Sequence, residues 1–296
     1  MRPEKGLIQK AVKITQEQHR WLKAHPEINF SRWIRDHLDQ QIRRAVWHQG
    51  KGVSALVLAA GSDRPMLPFN RSIPKALLEV RGKSIFQRQR EVLEDLGVGR
   101  IGVVRGYQKQ KFFFPGIYYY DNPDYTSRGI LHSLTMGMDF LIDSTLILYA
   151  DILFRRSVLD RLLQTKGDLI LAIDPAIPSR RRREKGRVVE AVSFQDRTAK
   201  RAASMIKRLS RHLPRSQQDG EFVGVGLIRD SAIDKVKKLL MALNADSAQA
   251  RADLLALFQA WIDSGEKLYG MTVSSEEWMD VDTFEDYRDA WSRFES

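Results

Sequence analysis

Val53-Ser54-Ala55-Leu56-Val57-Leu58-Ala59-Ala60-Gly61 decides the fold of this chain. Seven of its first eight residues are apolar, and Gly61 breaks the run. A run of that length is too short for a typical helix, and it lacks the alternation of a strand with one wet face. It reads as a strand buried on both faces, the kind found in parallel sheets. Downstream the same theme repeats. A helical stretch near 83–97 has Ile85, Val92, Leu93 and Leu96 on one side, and Ile101 to Val104 is the next strand. Ile117–Tyr120, Leu146–Tyr149 and Leu169–Ile173 continue the strands, with helical segments near 130–142 and 156–165 between them. Strands alternating with helices predict an α/β domain over 51–296, built on a mostly parallel doubly wound sheet.

The composition agrees. The apolar fraction is 43%, enough for a substantial core, and there is no cysteine. That excludes disulfides, thiolate metal sites and a cysteine nucleophile. No apolar run approaches the roughly 18 residues that span a bilayer. Met1 to Lys5 begin no stretch of signal-peptide length. The expectation is a cytoplasmic protein with no membrane partner. The net charge of +11 is uneven: residues 1–52 hold 11 Lys and Arg against 5 Asp and Glu. Such a segment either faces a polyanion or is a solvated basic face.

Within 1–50 the spacing predicts a small strand-helix-helix module. Val12 and Ile14 alternate with Ala11, Lys13 and Thr15, as in a short strand. Thr15 and Gln18 form a capping-box pattern, and His25-Pro26 ends the helix that follows. Phe30, Ile34, Leu38 and Ile42 then line one face of a second helix, with Trp33 beside them. This order, with Asn29-Phe30-Ser31-Arg32-Trp33-Ile34-Arg35 opening the second helix, resembles the ribbon-helix-helix family. The resemblance implies a homodimer, and DNA as a partner through outward residues near Gln9, Ala11 and Lys13. A pure dimerisation module is the other reading. So small a unit cannot bury its own apolar stripe.

After the first strand come Leu58-Ala59-Ala60-Gly61 and then Pro74-Lys75-Ala76-Leu77. A glycine turn at a strand's end lets backbone N–H groups approach phosphates, and a lysine supplies charge where phosphoryl transfer needs it. Here the chain resembles the nucleotidyltransferases that activate sugar phosphates and choline phosphate. Their pattern is L-A-A-G-x-G-x-R-L-x-P followed by P-K-x-L. Pro68 and Pro74 fall at the matching places without a gap, as do Arg81-Gly82-Lys83-Ser84-Ile85 and Gly106-Tyr107. Two positions depart from the pattern. Asp63 stands at the second glycine, and Pro65 stands where the family has its arginine, with Arg64 adjacent.

The resemblance implies the rest of the site. Asp151 ends an apolar strand, where open α/β sheets bind ligands. Asp282 lies in Trp278-Met279-Asp280-Val281-Asp282-Thr283, and Asp280 is a weaker candidate on the same face. Asp151 and Asp282 match the pair that holds a magnesium ion (Mg2+). Leu58, Ala59, Ala60, Gly61, Ser62, Asn122 and Ser133 would bind nucleotide, with Lys75 and Arg64 as the catalytic cations. Tyr107 and Glu221, the latter in Gly220-Glu221-Phe222-Val223-Gly224, would meet the acceptor. Some relatives sharing that last phrase are fused to phosphonate-making mutases. The expected reaction joins a nucleoside triphosphate, CTP favoured, to a phosphate or phosphonate of a small molecule and releases pyrophosphate. The alternative is a DNA-binding regulator that keeps a degenerate nucleotide-sensing domain. A glycosyltransferase fits less well, since no D-x-D lies mid-chain.

Overall fold

The structure, a computed structural model, describes residues 11–26, 29–31, 34, 52–61, 72–176, 189–196 and 203–294. Helix α1 spans Gln16–Ala24 and begins as expected: Thr15 and Gln18 cap each other reciprocally. Phe30, Ser31 and Ile34 are helical, while most of the expected second helix lies outside the described residues. The strand expected at Ala11 to Ile14 is not formed within the single chain. A ribbon strand has no partner inside its own unit, so a lone chain offers it nothing to pair with.

The main sheet begins with β1, Val53–Ala59, which pairs in parallel with β4, Arg100–Arg105, and β6, Ser144–Tyr149. β5, Tyr118–Asp121, extends it in parallel beyond β4. Alternate residues of β1 enter two separate cores. Leu56, Leu58 and Ala60 pack on one face, and Ala55, Val57 and Ala59 on the other. The first face is covered by α3 (Ile130–Met136), α5 (Ile233–Ala245) and α6 (Leu254–Asp263). The second is covered by α2 (Ile85–Asp95) and α4 (Arg156–Gln164). This two-sided burial is why the run at 53–60 carries no polar alternation.

The other half of the nine-stranded sheet is mixed. β8, Leu169–Asp174, lies parallel to β12, Leu268–Thr272. Between β6 and β8 runs β11, Gly220–Ile228, antiparallel to both. β10 (Ala203–Ser210) pairs with β12 and with β9 (Ala191–Phe194), and β9 returns to Gly220 and Glu221 of β11. Strands 8, 12, 10, 9 and 11 therefore close on themselves beside the parallel half. A hairpin of β2 (Glu79–Val80) and β3 (Lys83–Ser84), a pair of β7 (Ile152–Phe154) with β13 (Trp278–Asp280), and α7 (Phe284–Arg293) form a smaller cluster around Leu153, Met279 and Val281. Among the described residues no helix is long and apolar enough to cross a membrane.

Candidate active site

One cavity of about 420 Å³ opens where β1 and β6 end, a size within the usual range for small-molecule sites. Leu58, Ala59, Ala60, Gly61, Lys75, Ser133, Asp151, Glu221, Asp280 and Asp282 line it. Ser62 and Arg64 lie outside the described residues. Asn122 does not reach the cavity. It is buried behind Ser133 and donates to that hydroxyl at 3.0 Å. Tyr107 lies apart from the group, in a separate depression with Gln108, Lys109 and Tyr125. It reaches that position because the chain turns away after β4, where the Tyr107 N–H donates to the carbonyl of Ala60.

Lys75 opens a single 3-10 turn, Lys75–Leu77, directly after Pro74. Its side chain is 3% exposed, and its Nζ lies 2.7 Å from Asp151 Oδ2 and 2.6 Å from Asp282 Oδ1. The two aspartates meet because β13 pairs antiparallel to β7, with Asp280 opposite Ile152. The Val281 N–H donates to the Asp151 carbonyl at 3.1 Å, which draws the two turns together. Thr283, not Asp282, caps α7. Its hydroxyl and the Asp286 carboxylate form the capping box, and Asp286 also accepts from the Asp282 N–H at 3.1 Å. Both polar ends of the helix start are thus satisfied without the Asp282 carboxylate, which is left to face the cavity.

Asp280 belongs to the group as well. Carboxylate oxygens of Asp151, Asp280 and Asp282 all lie within 4.8 Å of one another. The Lys75 ammonium acts as a stand-in cation, marking where these groups hold positive charge. Among the described residues, three carboxylates and one ammonium leave an excess of negative charge. An all-oxygen donor set with such an excess fits a magnesium ion.

Gln89 is the residue here that sequence reading missed. It is 1% exposed, and its amide donates to the carbonyls of Tyr149 at 2.8 Å and Ile152 at 2.7 Å. Those bonds bracket the turn that presents Asp151. Nothing in an amphipathic helix pattern marks a polar residue as inward-facing, so no local signal was available. Gln89→Leu is expected to cost about 2–4 kcal/mol, since it strands two buried carbonyls. Chemical denaturation of variant and parent measures this. An unchanged midpoint would mean the turn holds without it.

The far wall carries a second polar group. Arg211, just after β10, lies 2.5 Å from Glu190 and 2.8 Å from Asp253, and the Tyr149 hydroxyl donates to Glu190 at 3.1 Å. Burial pushes the Glu190 carboxyl up, with Arg211 opposing. Burial pushes the Tyr149 hydroxyl further up, and Glu190 adds to it. For Arg211 burial works downward, but Glu190 and Asp253 together outweigh it and hold the guanidinium more firmly protonated. These residues come from four separate segments, so no spacing in the sequence announces them.

Residues 55–189 match the family of MobA-like NTP transferase domains. The chain is 28% identical over 253 residues to the bifunctional IPC transferase and DIPP synthase of Rubrobacter xylanophilus, covering 80% of this chain and 51% of that protein. It is 26% identical to the choline-phosphate cytidylyltransferase of Streptococcus pneumoniae, covering 63% of this chain and 86% of that one. The chain spans about half the length of the first curated relatives it matches. The solved inositol-1-phosphate CTP transferase of T. maritima superposes with a TM-score of 0.63 at 16% identity, over 82% of this chain and 96% of that one. At that identity the likeness concerns the α/β fold.

Proposed function

We infer that this chain, carrying a MobA-like NTP transferase domain over 55–189, is a nucleotidyltransferase, and we propose that it transfers a cytidylyl group to a phosphate- or phosphonate-bearing small molecule. The observation that carries this is Lys75 buried between Asp151 and Asp282 at the end of β1 and β6. A sensor domain would need neither a buried lysine nor clustered carboxylates at a strand end. The choline-phosphate cytidylyltransferase among the relatives, whose name joins a cytidylyl group to a phosphorylated acceptor, supports the choice of base.

An oxygen of the acceptor's phosphate forms a bond to the α-phosphorus of the nucleotide. The bond from that phosphorus to the bridging oxygen breaks in line with it, and pyrophosphate leaves with the electron pair. No covalent enzyme intermediate is required, so the protein's task is orientation and charge neutralisation. The main chain of Ala59 to Gly61 gives the phosphates close backbone approach. Lys75 offers its ammonium to the charge that develops. Asp151 and Asp282, with Asp280, would hold a magnesium ion, whose chemistry is to neutralise phosphate charge. Ser133, fixed by Asn122, borders the nucleoside side.

Pyrophosphate release with each of the four ribonucleoside triphosphates, magnesium and a mixed pool of phosphorylated acceptors tests the base. CTP is expected to exceed the others by at least about tenfold in kcat/KM. Equal rates with all four would remove the cytidylyl assignment.

A further inference from the structure

We propose, resting on the transferase reading above, that Tyr149, Glu190, Arg211 and Asp253 form the site that reads the organic part of the acceptor, and that this acceptor is a phosphorylated polyol. The four residues share a cavity wall with the Lys75 cluster. Tyr149 ends β6 two residues before Asp151. The Glu190 carbonyl accepts from the Phe222 N–H at 2.9 Å, which seats Glu190 beside Glu221 on β11. The group therefore borders the same cavity as Lys75, Asp151 and Glu221.

Asp253 has a structural use, since its Oδ1 caps α6 by accepting from the Ala256 N–H at 3.3 Å, but that cap needs neither Arg211 nor Glu190. Buried ion pairs seldom stabilise a fold more than apolar residues of the same volume would. This one joins four distant segments at a cavity wall, where its lone pairs and N–H groups can meet a ligand. The arrangement suits hydroxyl groups. Glu190 at Nη2 and Asp253 at Nε of one guanidinium set acceptors and donors next to one another, and a diol supplies both. Glu190 and Asp253 can each accept from a hydroxyl, and Arg211 can donate to one.

Charge and aromatic content disfavour an ammonium-bearing acceptor. Beyond the lysine cluster the wall carries Glu190, Glu221 and Asp253 against Arg128, Arg211 and Arg251. Among the described residues that wall has no net charge to attract a cation. Recognition of a quaternary ammonium relies on several open ring faces. Phe222 is 4% and Trp278 1% exposed. Phe222 lies edge-on between Tyr149 and Phe258, and the Trp278 Nε1 donates to buried Asp174 at 2.9 Å. The Tyr149 ring is itself backed by Gly224, where an added Cβ would fall 2.7 Å from it.

The test uses the full chain with CTP, magnesium and four acceptors: myo-inositol 1-phosphate, glucose 1-phosphate, phosphocholine and 2-aminoethylphosphonate. One of the polyol phosphates is expected to exceed both amines by at least about 100-fold in kcat/KM. Asp253→Asn and Tyr149→Phe are expected to raise the KM for that acceptor by about tenfold, with the KM for CTP within about twofold of the parent. Should Asp253→Asn fail to fold by thermal melting, Tyr149→Phe keeps the ring and carries the test alone. Preference for phosphocholine or 2-aminoethylphosphonate would overturn the proposal while leaving the transferase reading intact. If no acceptor turns over, calorimetry with the two polyol phosphates decides. Binding that Tyr149→Phe weakens keeps this site and removes the transferase reading, and no binding of either overturns the site.

Discussion

Asp151→Asn, and separately Asp282→Asn, are expected to lower magnesium-dependent turnover by at least about 100-fold, or about 2.7 kcal/mol of barrier, while each variant still folds. The amide keeps the shape of the side chain and removes the charge that a magnesium ion needs. Each single variant still leaves the buried Lys75 ammonium one carboxylate partner, so some stability is lost but the fold is expected to survive. The Asp282 carboxylate is not the cap of α7, since Thr283 and Asp286 do that work. The Asp151 turn is held through main-chain atoms by Val281 and Gln89. Steady-state rates over a magnesium titration, with melting curves as the folding control, measure the effect. Parental activity in both variants would place the two carboxylates outside the chemistry.

Lys75→Ala is expected to act on both stability and rate. Turnover should fall by at least about 100-fold, because Lys75 is the cation held against the clustered carboxylates of the described site. The carboxylates of Asp151 and Asp282 would also lose the ammonium that now lies 2.7 and 2.6 Å from them. Their mutual repulsion should then destabilise the variant in metal-free buffer. Magnesium should restore more of the melting temperature in the variant than it adds to the parent, since the ion takes over the neutralising role. Calorimetric melting with and without magnesium separates this from simple loss of packing, which the ion would not repair.

The sequence made much of this site legible, for identifiable reasons. β1 was readable because a strand covered on both faces by helices has no polar alternation to obscure it. Lys75, Asp151 and Asp282 were readable because each follows a strand end or a proline turn in a recognisable phrase. Their meeting was not: only the antiparallel pairing of β7 with β13 brings the distant segments to hydrogen-bonding distance. The direction of β11 was equally hidden. It is buried throughout, yet Gly220, Gly224 and Gly226 dilute its strand signal, and burial says nothing of direction. Asp280 is the weaker candidate in sequence, because only the fold brings its carboxylate within 4.8 Å of those of Asp151 and Asp282. The resemblance points Tyr107 toward the acceptor, whereas the chain after Gly106 carries it to another depression. The Glu190, Arg211 and Asp253 contacts are wholly tertiary and left no periodic trace.

Phosphorus NMR of this chain mixed with CTP, magnesium and a polyol phosphate tests the cytidylyl transfer directly. Pyrophosphate and a cytidine diphosphate-linked product are expected to appear in equal amounts, with both signals absent when Asp151→Asn replaces the parent. Conversion of CTP to CDP or CMP without the linked product, or the same product from the parent and from Asp151→Asn alike, would contradict that transfer.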